Sequence, residues 1–243
     1  AAFRSDRVVV GIGDDAAVID TSARTVIAAD AMVEGVHFDM TYWQPRDVGR
    51  KLVSVNVSDF AAMGARPSFA TLTVGAPAST RHDVMTEIID GIAERAATYG
   101  VSIVGGDVTG SPGPITLSLS MLGPAPSLLM RRDTARVGQS LYVTGFPGLA
   151  GYAFECLSLG ESPPARARRQ FFDPQARLDD GVRLAGVAAS GMDLSDGLLT
   201  DLPRFAAASG VHLEVDIGRL PTHECLPSSQ YVMTGGEDYE LLF

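Results

Sequence analysis

The stretch SFATLTVGAPASTRHDVMTEIIDGIAERAATYGVSIVGGD, residues 68–107, carries the clearest evidence for a fold class. An apolar run over 68–75 predicts a strand, and apolar residues at helical spacing predict a helix over 80–99 that ends before a glycine. Residues 101–104 predict a second strand. Strands that alternate with helices favour an α/β fold built around a sheet.

The alternation continues on both sides of this stretch. Pro45 can begin a helix predicted over 45–64, and strict apolar/polar alternation over 115–121 predicts a strand with one buried face. The remaining predicted strands are 7–10, 25–30, 140–144, 211–215 and 239–243, and the remaining helices are 151–159, 177–190 and 197–208.

A stretch rich in Pro and Gly at 123–126 indicates a boundary between two blocks. We place that boundary near 125–138, which gives an N-terminal domain over 1–130 and a C-terminal α/β domain over 131–243. A chain of 243 residues is long enough for two ordinary domains.

Carboxylates recur where apolar, strand-like runs end against glycine. Such positions leave side chains at the rim of a sheet, where open α/β sheets bind ligands. Ligand sets made only of oxygen suit Mg²⁺, which usually bridges a few carboxylates to substrate phosphates. The pattern favours an enzyme that uses a magnesium nucleotide. The acidic residues in question are Asp14, Asp15, Asp30, Asp107, Asp193, Asp196, Glu237 and Asp238.

Composition excludes several other classes. With 29 acidic against 19 basic residues, the chain repels a nucleic-acid backbone. No apolar run approaches the roughly 20 residues needed to cross a membrane, and we expect no secretory leader. Lys51 is the only lysine and follows no glycine, which excludes a P-loop. Cys156 and Cys225 lie far apart and fit a reduced cytosolic compartment, and the histidines lack zinc-ligand spacing.

Several of these features also have a purely structural interpretation. Asp14–Asp15 alone would suit an Asx-turn, and Asp196 an N-cap. Asp59 lies among apolar residues of a predicted helix, where a carboxylate is costly unless paired, so metal binding explains it better. His37 alone is more often a packed or surface histidine. The glycines between 145 and 151 lack dinucleotide-binding spacing and favour tight strand–helix packing.

Six motifs, in order along the chain, resemble those of thiamine-monophosphate kinase. This family belongs to a superfamily with aminoimidazole ribonucleotide synthetase, selenide water dikinase and the hydrogenase-maturation ATPase. The motifs are GIGDDAA (11–17), EGVHF (34–38), VNVSDFAAMGA (55–65), GGD (105–107), DLSDGL (193–198) and GGEDYEL (235–241).

The resemblance implies a two-domain aminoimidazole ribonucleotide synthetase-like fold and a cytoplasmic homodimer joined through its N-terminal sheets. It implies a kinase that uses ATP and several Mg²⁺ ions to phosphorylate thiamine monophosphate to the diphosphate. The implied metal ligands are Asp14, Asp15, Asp30, Asp59, Asp107, Asp193 and Asp196. The implied ATP-binding residues are Gly106, Asp107, Arg132 (or its neighbour Arg131) and Ser195, and the implied substrate-binding residues are His37 and Glu237.

The chemistry of this reaction needs no protein base. A phosphomonoester with a second pKa of about 6 is already largely a dianion at neutral pH. The obstacle is repulsion between two polyanions, which metal ions and guanidinium groups relieve. We therefore assign no catalytic general base.

The chain also departs from the family pattern. Ala28–Ala29 stands where a hydroxyl residue is common, Val108 replaces a usual Thr, and the sequence stops at Phe243, where family members continue. Two alternatives therefore stay open: an aminoimidazole ribonucleotide synthetase-type enzyme, and a non-catalytic relative that binds nucleotide or thiamine phosphate.

Overall fold

The computed structural model describes residues 8–10, 14–15, 17–20 and 23–243, which form two compact units. The first unit holds the described residues up to Phe60, except 14–15, together with Ala65–Ser127. The second unit holds 14–15, Ala61–Gly64 and Leu128–Phe243.

The first unit is built on one mixed sheet. Its described strands lie in the order β1, β2, β3, β6, β4, β5; β4 and β5 are parallel and the other neighbours are antiparallel. The strands are β1 (Val8–Val10), β2 (Ala17–Asp20), β3 (Arg24–Val33), β4 (Phe69–Ala76), β5 (Ser102–Gly110) and β6 (Thr116–Pro124), and the helices are α1 (Pro45–Ala62) and α2 (His82–Tyr99).

The core of this unit follows the predicted periodicities. Along β6, Leu117, Leu119 and Met121 are fully buried, whereas the polar residues between them keep partial exposure. The half-buried strand over 115–121 is thereby confirmed, as are both long helices. Buried Leu52 of α1 and Ile88 of α2 belong to the same core.

Helices α1 and α2 approach each other through glycine. A Cβ atom on Gly49 would lie 2.1 Å from the carbonyl oxygen of Ile88, and one on Gly91 would lie 2.1 Å from that of Arg46. Each glycine therefore lies against the backbone of the opposite helix. A larger residue at either position would clash with backbone atoms, and a change of side-chain rotamer could not relieve the clash.

The sole lysine belongs to the interior of this unit. Lys51 is 1% exposed, and its Nζ lies 4.9 Å from the centre of the Trp43 ring. A cation above an indole face is attracted by the ring quadrupole, which offsets part of the cost of burying the charge.

Two strands run longer than expected. β5 continues through Gly105–Gly106 to Gly110, and β3 extends to Val33, so Asp107 and Asp30 lie inside strands and not at their ends. The glycines do not end β5 because its backbone keeps pairing with parallel β4 through this region. β2 was not predicted, and Arg7 of the predicted strand 7–10 lies outside the described residues.

The second unit is mainly helical around a short two-stranded sheet. The helices are α3 (Leu149–Ser158), α4 (Ala165–Phe172), α5 (Leu178–Leu184), α6 (Leu198–Ser209) and α7 (Gln230–Thr234), and the antiparallel strands are β7 (Met192–Leu194) and β8 (Glu240–Leu242). None of the helices in the described residues is both long and apolar enough to cross a membrane.

Three predictions in this unit are wrong in detail. Residues 211–215 form no strand, because no strand among the described residues pairs with them. Residues 140–144 contribute only a bridge from Val143 to β8 and backbone hydrogen bonds around it. The predicted helix 177–190 ends at Leu184, and α4 was not predicted.

Candidate active site

A buried ion-pair cluster occupies the start of the second unit. One guanidinium nitrogen of Arg132 lies 2.5 Å from a carboxylate oxygen of Asp15, and its Nε lies 3.4 Å from Asp14. The side chains of the two acids are only 3% and 5% exposed. Burial raises the pKa of Asp14 to about 6. Burial works against the charge of Arg132, but its hydrogen bond to Asp15 and the nearby carboxylates raise its pKa on balance.

Asp193 brings a further carboxylate to this cluster. It is the central residue of β7, its backbone is paired with Leu241 of β8, and it is 5% exposed. Carboxylate oxygens of Asp15 and Asp193 lie within 4.8 Å of each other. Two nearly buried carboxylates this close repel each other unless a cation lies near both of them.

The segment that carries Arg132 is held by two serine hydroxyls. Ser190 Oγ donates a hydrogen bond to the carbonyl oxygen of Arg131 at 2.6 Å, and Ser209 Oγ donates to that of Arg132 at 2.7 Å. The same Ser209 Oγ accepts the Ala135 N–H at 3.0 Å. These bonds fix the backbone from which the guanidinium reaches Asp15.

The Ser195–Asp196 loop is held from inside α6. Fully buried Asp201 accepts the Asp196 N–H at 3.0 Å, and burial raises the pKa of Asp201. Arg204 pairs with both Asp196 and Asp201. Asp196 is therefore not the N-cap of α6, a position that Gly197 takes, and its carboxylate is half exposed beside a guanidinium.

The Gly235–Tyr239 turn lies against this loop. The Glu237 N–H donates to the Ser195 carbonyl at 2.7 Å, and the Glu237 backbone has a φ of 63°. Neighbouring Asp238 is 1% exposed and accepts the N–H groups of Gly148 and Ala150 at the N-terminus of α3. That terminus is occupied by a protein carboxylate. Cβ atoms on Gly148 and Gly151 would lie 2.4 Å and 2.6 Å from backbone atoms of Tyr231 and Gly235, so these glycines allow close packing against α7 and the turn that follows it, and not against a strand.

In the first unit, Asn56 joins β3 to α1, the helix that carries Asp59. The Asp30 N–H, in the middle of β3, donates to Asn56 Oδ1 at 3.0 Å, and Asn56 Nδ2 donates to the Leu52 carbonyl at 2.8 Å. Asn56 and Asp59 are one helical turn apart on α1, so they lie on the same face of the helix. Asp59 keeps partial exposure where the rest of residues 51–60 are buried.

Gly106 and Asp107 lie further along the same sheet. A Cβ atom on Gly106 would lie 1.9 Å from the Leu72 carbonyl oxygen, so only glycine fits there. The pairing register places Asp30, Leu119, Leu72 and Gly106 in one row across β3, β6, β4 and β5. Three strand spacings correspond to about 14 Å, so Asp107 and Asp30 are not direct neighbours.

His37 has a defined hydrogen-bonding role. His37 follows the end of β3, and its Nδ1 accepts a hydrogen bond from the backbone N–H of Val33, the last residue of that strand, at 3.1 Å. When Nδ1 accepts, the neutral ring carries its proton on Nε2. The imidazole is thus set to donate a hydrogen bond from Nε2.

The sequence did not reveal the residues that hold these side chains in place. Asn56, Ser190, Ser209, Asp201 and Arg204 had no assigned role, and nothing in the spacing of the two serines distinguishes them. Asn56 could have been found, because it lies three residues before Asp59 in a predicted helix. Of the 11–17 motif, the structure describes residues 14, 15 and 17.

Comparison with known proteins shows which family the chain resembles. Residues 13–125 match the family described as AIR synthase related protein, N-terminal domain. The thiamine-monophosphate kinase of Mycobacterium tuberculosis is 36% identical over 252 residues, which cover 97% of this chain and 74% of that protein.

Solved structures give the same result and confirm the two-domain α/β fold class. AaThiL complexed with AMPPCP and TMP matches with a TM-score of 0.91 and 30% identity, covering 100% of this chain and 81% of that chain. Thiamine-monophosphate kinase from Stenotrophomonas maltophilia matches with a TM-score of 0.84 and 34% identity over the same shares of both chains. Because the identity exceeds 30% over nearly its whole length, the chain belongs to the thiamine-monophosphate kinase family.

Proposed function

We propose that this protein transfers the γ-phosphoryl group of ATP to the phosphate of thiamine monophosphate, giving thiamine diphosphate. The observation that carries the proposal is the Arg132 guanidinium held against Asp15, whose carboxylate lies within 4.8 Å of that of Asp193. Family membership supplies the substrates, since AaThiL was solved with AMPPCP and TMP.

The donor set of the second unit fits Mg²⁺. Asp15 and Asp193 offer only oxygen, they are nearly buried, and their carboxylates lie within 4.8 Å of each other, which suits a hard divalent cation. We propose that these two residues hold Mg²⁺, that Asp14 assists, and that Asp30, Asp59, Asp107 and Asp196 complete the set. The ions supply charge neutralisation on the transferred phosphoryl group.

The side chains of the protein bind and orient the two anions. Gly106 lets the β5 backbone approach the ATP phosphates, and Arg132 and Ser195 contact ATP. His37, which keeps its proton on Nε2, donates a hydrogen bond to the acceptor phosphate. We propose that Glu237 lies on the acceptor side of the site, where its carboxylate suits the cationic ring of thiamine monophosphate. The acceptor dianion attacks directly, without a protein base.

A coupled assay tests the proposed function. Purified protein with MgATP is expected to convert thiamine monophosphate to the diphosphate and to leave free thiamine unchanged, because free thiamine lacks the nucleophilic phosphate. Product is followed by anion-exchange chromatography together with ADP release. Cyclisation of formylglycinamidine ribonucleotide in place of this reaction would assign the aminoimidazole ribonucleotide synthetase activity. Binding of both substrates without ADP release would make the protein a non-catalytic relative.

We further propose that two copies of the chain associate through the sheet of the first unit. Every residue of β5 is exposed, and no strand among the described residues pairs with its outer edge. Val104 and Val108 are 61% and 78% exposed, and Phe69 on neighbouring β4 is 52% exposed. A long apolar edge strand is a template for pairing with another chain, and a second copy would cover it.

Substitution within β5 tests this association. Val104→Glu is expected to raise the dimer dissociation constant about tenfold or more. A tenfold change corresponds to about 1.4 kcal/mol of binding free energy, and burying an unpaired carboxylate in the interface costs more than that. Val137→Glu is the matched control, since Val137 is 92% exposed and lies in the second unit. Mass is measured by light scattering across a dilution series. An unchanged dimer in Val104→Glu would place the interface elsewhere.

The two cysteines, Cys156 and Cys225, form no disulfide. This state agrees with the cytoplasmic location that we propose for the reaction, where thiols stay reduced.

A further inference from the structure

The Gly235–Tyr239 turn contains unusual backbone. Glu237 and Tyr239 have φ values of 63° and 51°, and they are the two non-glycine residues with positive φ among the described residues. Side chains other than glycine rarely adopt this left-handed conformation, and when they do the surrounding structure must hold them there. Glu237 is also the residue that we propose meets the acceptor.

Asp238, between these two residues, is anchored on one side of the turn. Its buried carboxylate accepts the N–H groups of Gly148 and Ala150, the latter at 3.0 Å, at the first turn of α3. Its carbonyl oxygen accepts a hydrogen bond from Nε2 of buried Gln170 on α4 at 2.6 Å. Two helices thus fix the residue that links Glu237 to Tyr239.

The opposite side of the turn is fixed to the strand that carries Asp193. The N–H of Glu237 donates to Ser195 at 2.7 Å, and the N–H of Tyr239 donates to Leu194 at 2.9 Å. A Cβ atom on Gly236 would lie 2.9 Å from the Ser195 carbonyl oxygen. The turn therefore rests directly on the loop that follows Asp193.

We propose that Asp238 and Gln170 are positioning residues that keep Glu237 in its left-handed conformation at the acceptor side of the site. This inference rests on the proposed function for the role of Glu237, but not for the anchoring itself. When the hydrogen bonds of Asp238 and Gln170 are lost, the backbone of Glu237 leaves the left-handed conformation for part of the time. Acceptor affinity then falls in proportion to the fraction of protein that stays competent.

Steady-state kinetics at pH 8 separate this role from general stabilisation. In Asp238→Asn, whose amide cannot accept both helix N–H groups, KM for thiamine monophosphate is expected to rise about tenfold if a tenth of the protein stays competent. KM for ATP should change less than about twofold, because Gly106, Asp107 and Arg132 are untouched and the turn bonds only to the carbonyl oxygen of Ser195. Gln170→Leu should show the same split more weakly. Gln175→Leu is the matched control, because exposed Gln175 donates the same kind of bond to the Asp173 carbonyl.

A rescue and a measurement independent of activity complete the test. Glycine adopts positive φ without strain, so adding Tyr239→Gly to Asp238→Asn should recover part of the acceptor KM. Hydrogen exchange of the Glu237 and Tyr239 amides should accelerate by more than about tenfold in Asp238→Asn, where the turn is open most of the time, and by a smaller factor in Gln170→Leu, while amides of β6 keep their rates.

The outcomes distinguish a failure of the proposed function from a failure of the proposed positioning role. Wild-type protein that does not phosphorylate thiamine monophosphate would refute the proposed function, and hydrogen exchange would still decide the anchoring. Unchanged exchange in the turn, or a parallel rise in both KM values, would overturn the positioning role of Asp238 and Gln170. If Asp238→Asn does not fold, Gln170→Leu against Gln175→Leu gives the same decision.

Discussion

Asp193→Asn is expected to lower turnover by about 100-fold or more, equivalent to roughly 2.7 kcal/mol of activation free energy. Asparagine keeps the shape of the side chain but removes the charge that faces Asp15 across less than 4.8 Å. The backbone of Asp193 is paired within β7 and β8, so the fold should survive. Single-turnover rates at saturating Mg²⁺ and ATP provide the measurement.

Asp216→Asn is the control for this variant. Asp216 is exposed, and its carboxylate accepts only a local N–H from Gly218 among the hydrogen bonds described. Its replacement should leave turnover unchanged. If Asp193→Asn also turned over at the wild-type rate over the full range of Mg²⁺ concentration, Asp193 would have to be removed from the metal set.

Gly49→Ala is expected to destabilise the protein by about 3 kcal/mol, which corresponds to a fall in Tm of roughly 6 to 12 °C. The added methyl would lie 2.1 Å from the Ile88 carbonyl oxygen and 2.8 Å from the Ile92 nitrogen. Both are backbone atoms of α2, so the helices must separate to relieve the clash. Calorimetry and urea titration measure the effect.

Gly110→Ala controls for the general effect of replacing a glycine, because a Cβ atom there meets nothing within 4 Å. Its Tm should stay within about 2 °C of wild type. Equal losses in the two variants would mean that the crossing of α1 and α2 yields more easily than its backbone contacts indicate.

Periodicity predicted the elements whose environment is amphipathic. The stripe of Val84, Ile88 and Ile92 and the alternation along β6 both reflect one buried and one exposed face. It failed where pairing decides the structure. The sequence Gly105–Gly106 is compatible with either a loop or a strand. It is part of a strand here because its backbone pairs with the parallel strand β4. Residues 211–215 have strand composition, but they gain no partner strand in the described chain.

The candidate site was predictable as a set of residues but not as an arrangement. The resemblance implied Asp15, Asp193 and Arg132 or its neighbour Arg131, yet nothing in the sequence shows that the Arg132 guanidinium lies against Asp15. Likewise, the GGEDYEL motif does not reveal that Asp238 is buried against α3. Such contacts depend on segments that are about 90 residues or more apart in the chain, and short-range patterns carry no information about them.

The burial of Lys51 has a practical consequence for labelling. Because it is the only lysine in the sequence, no lysine amine is offered at the described surface, and the other 18 of the 19 Lys and Arg side chains are guanidinium groups. Succinimidyl dyes and amine cross-linkers therefore have no lysine to attack on the folded described chain. A fluorescent probe placed on an introduced surface lysine would report from a single chosen position, with no competing lysine to remove first.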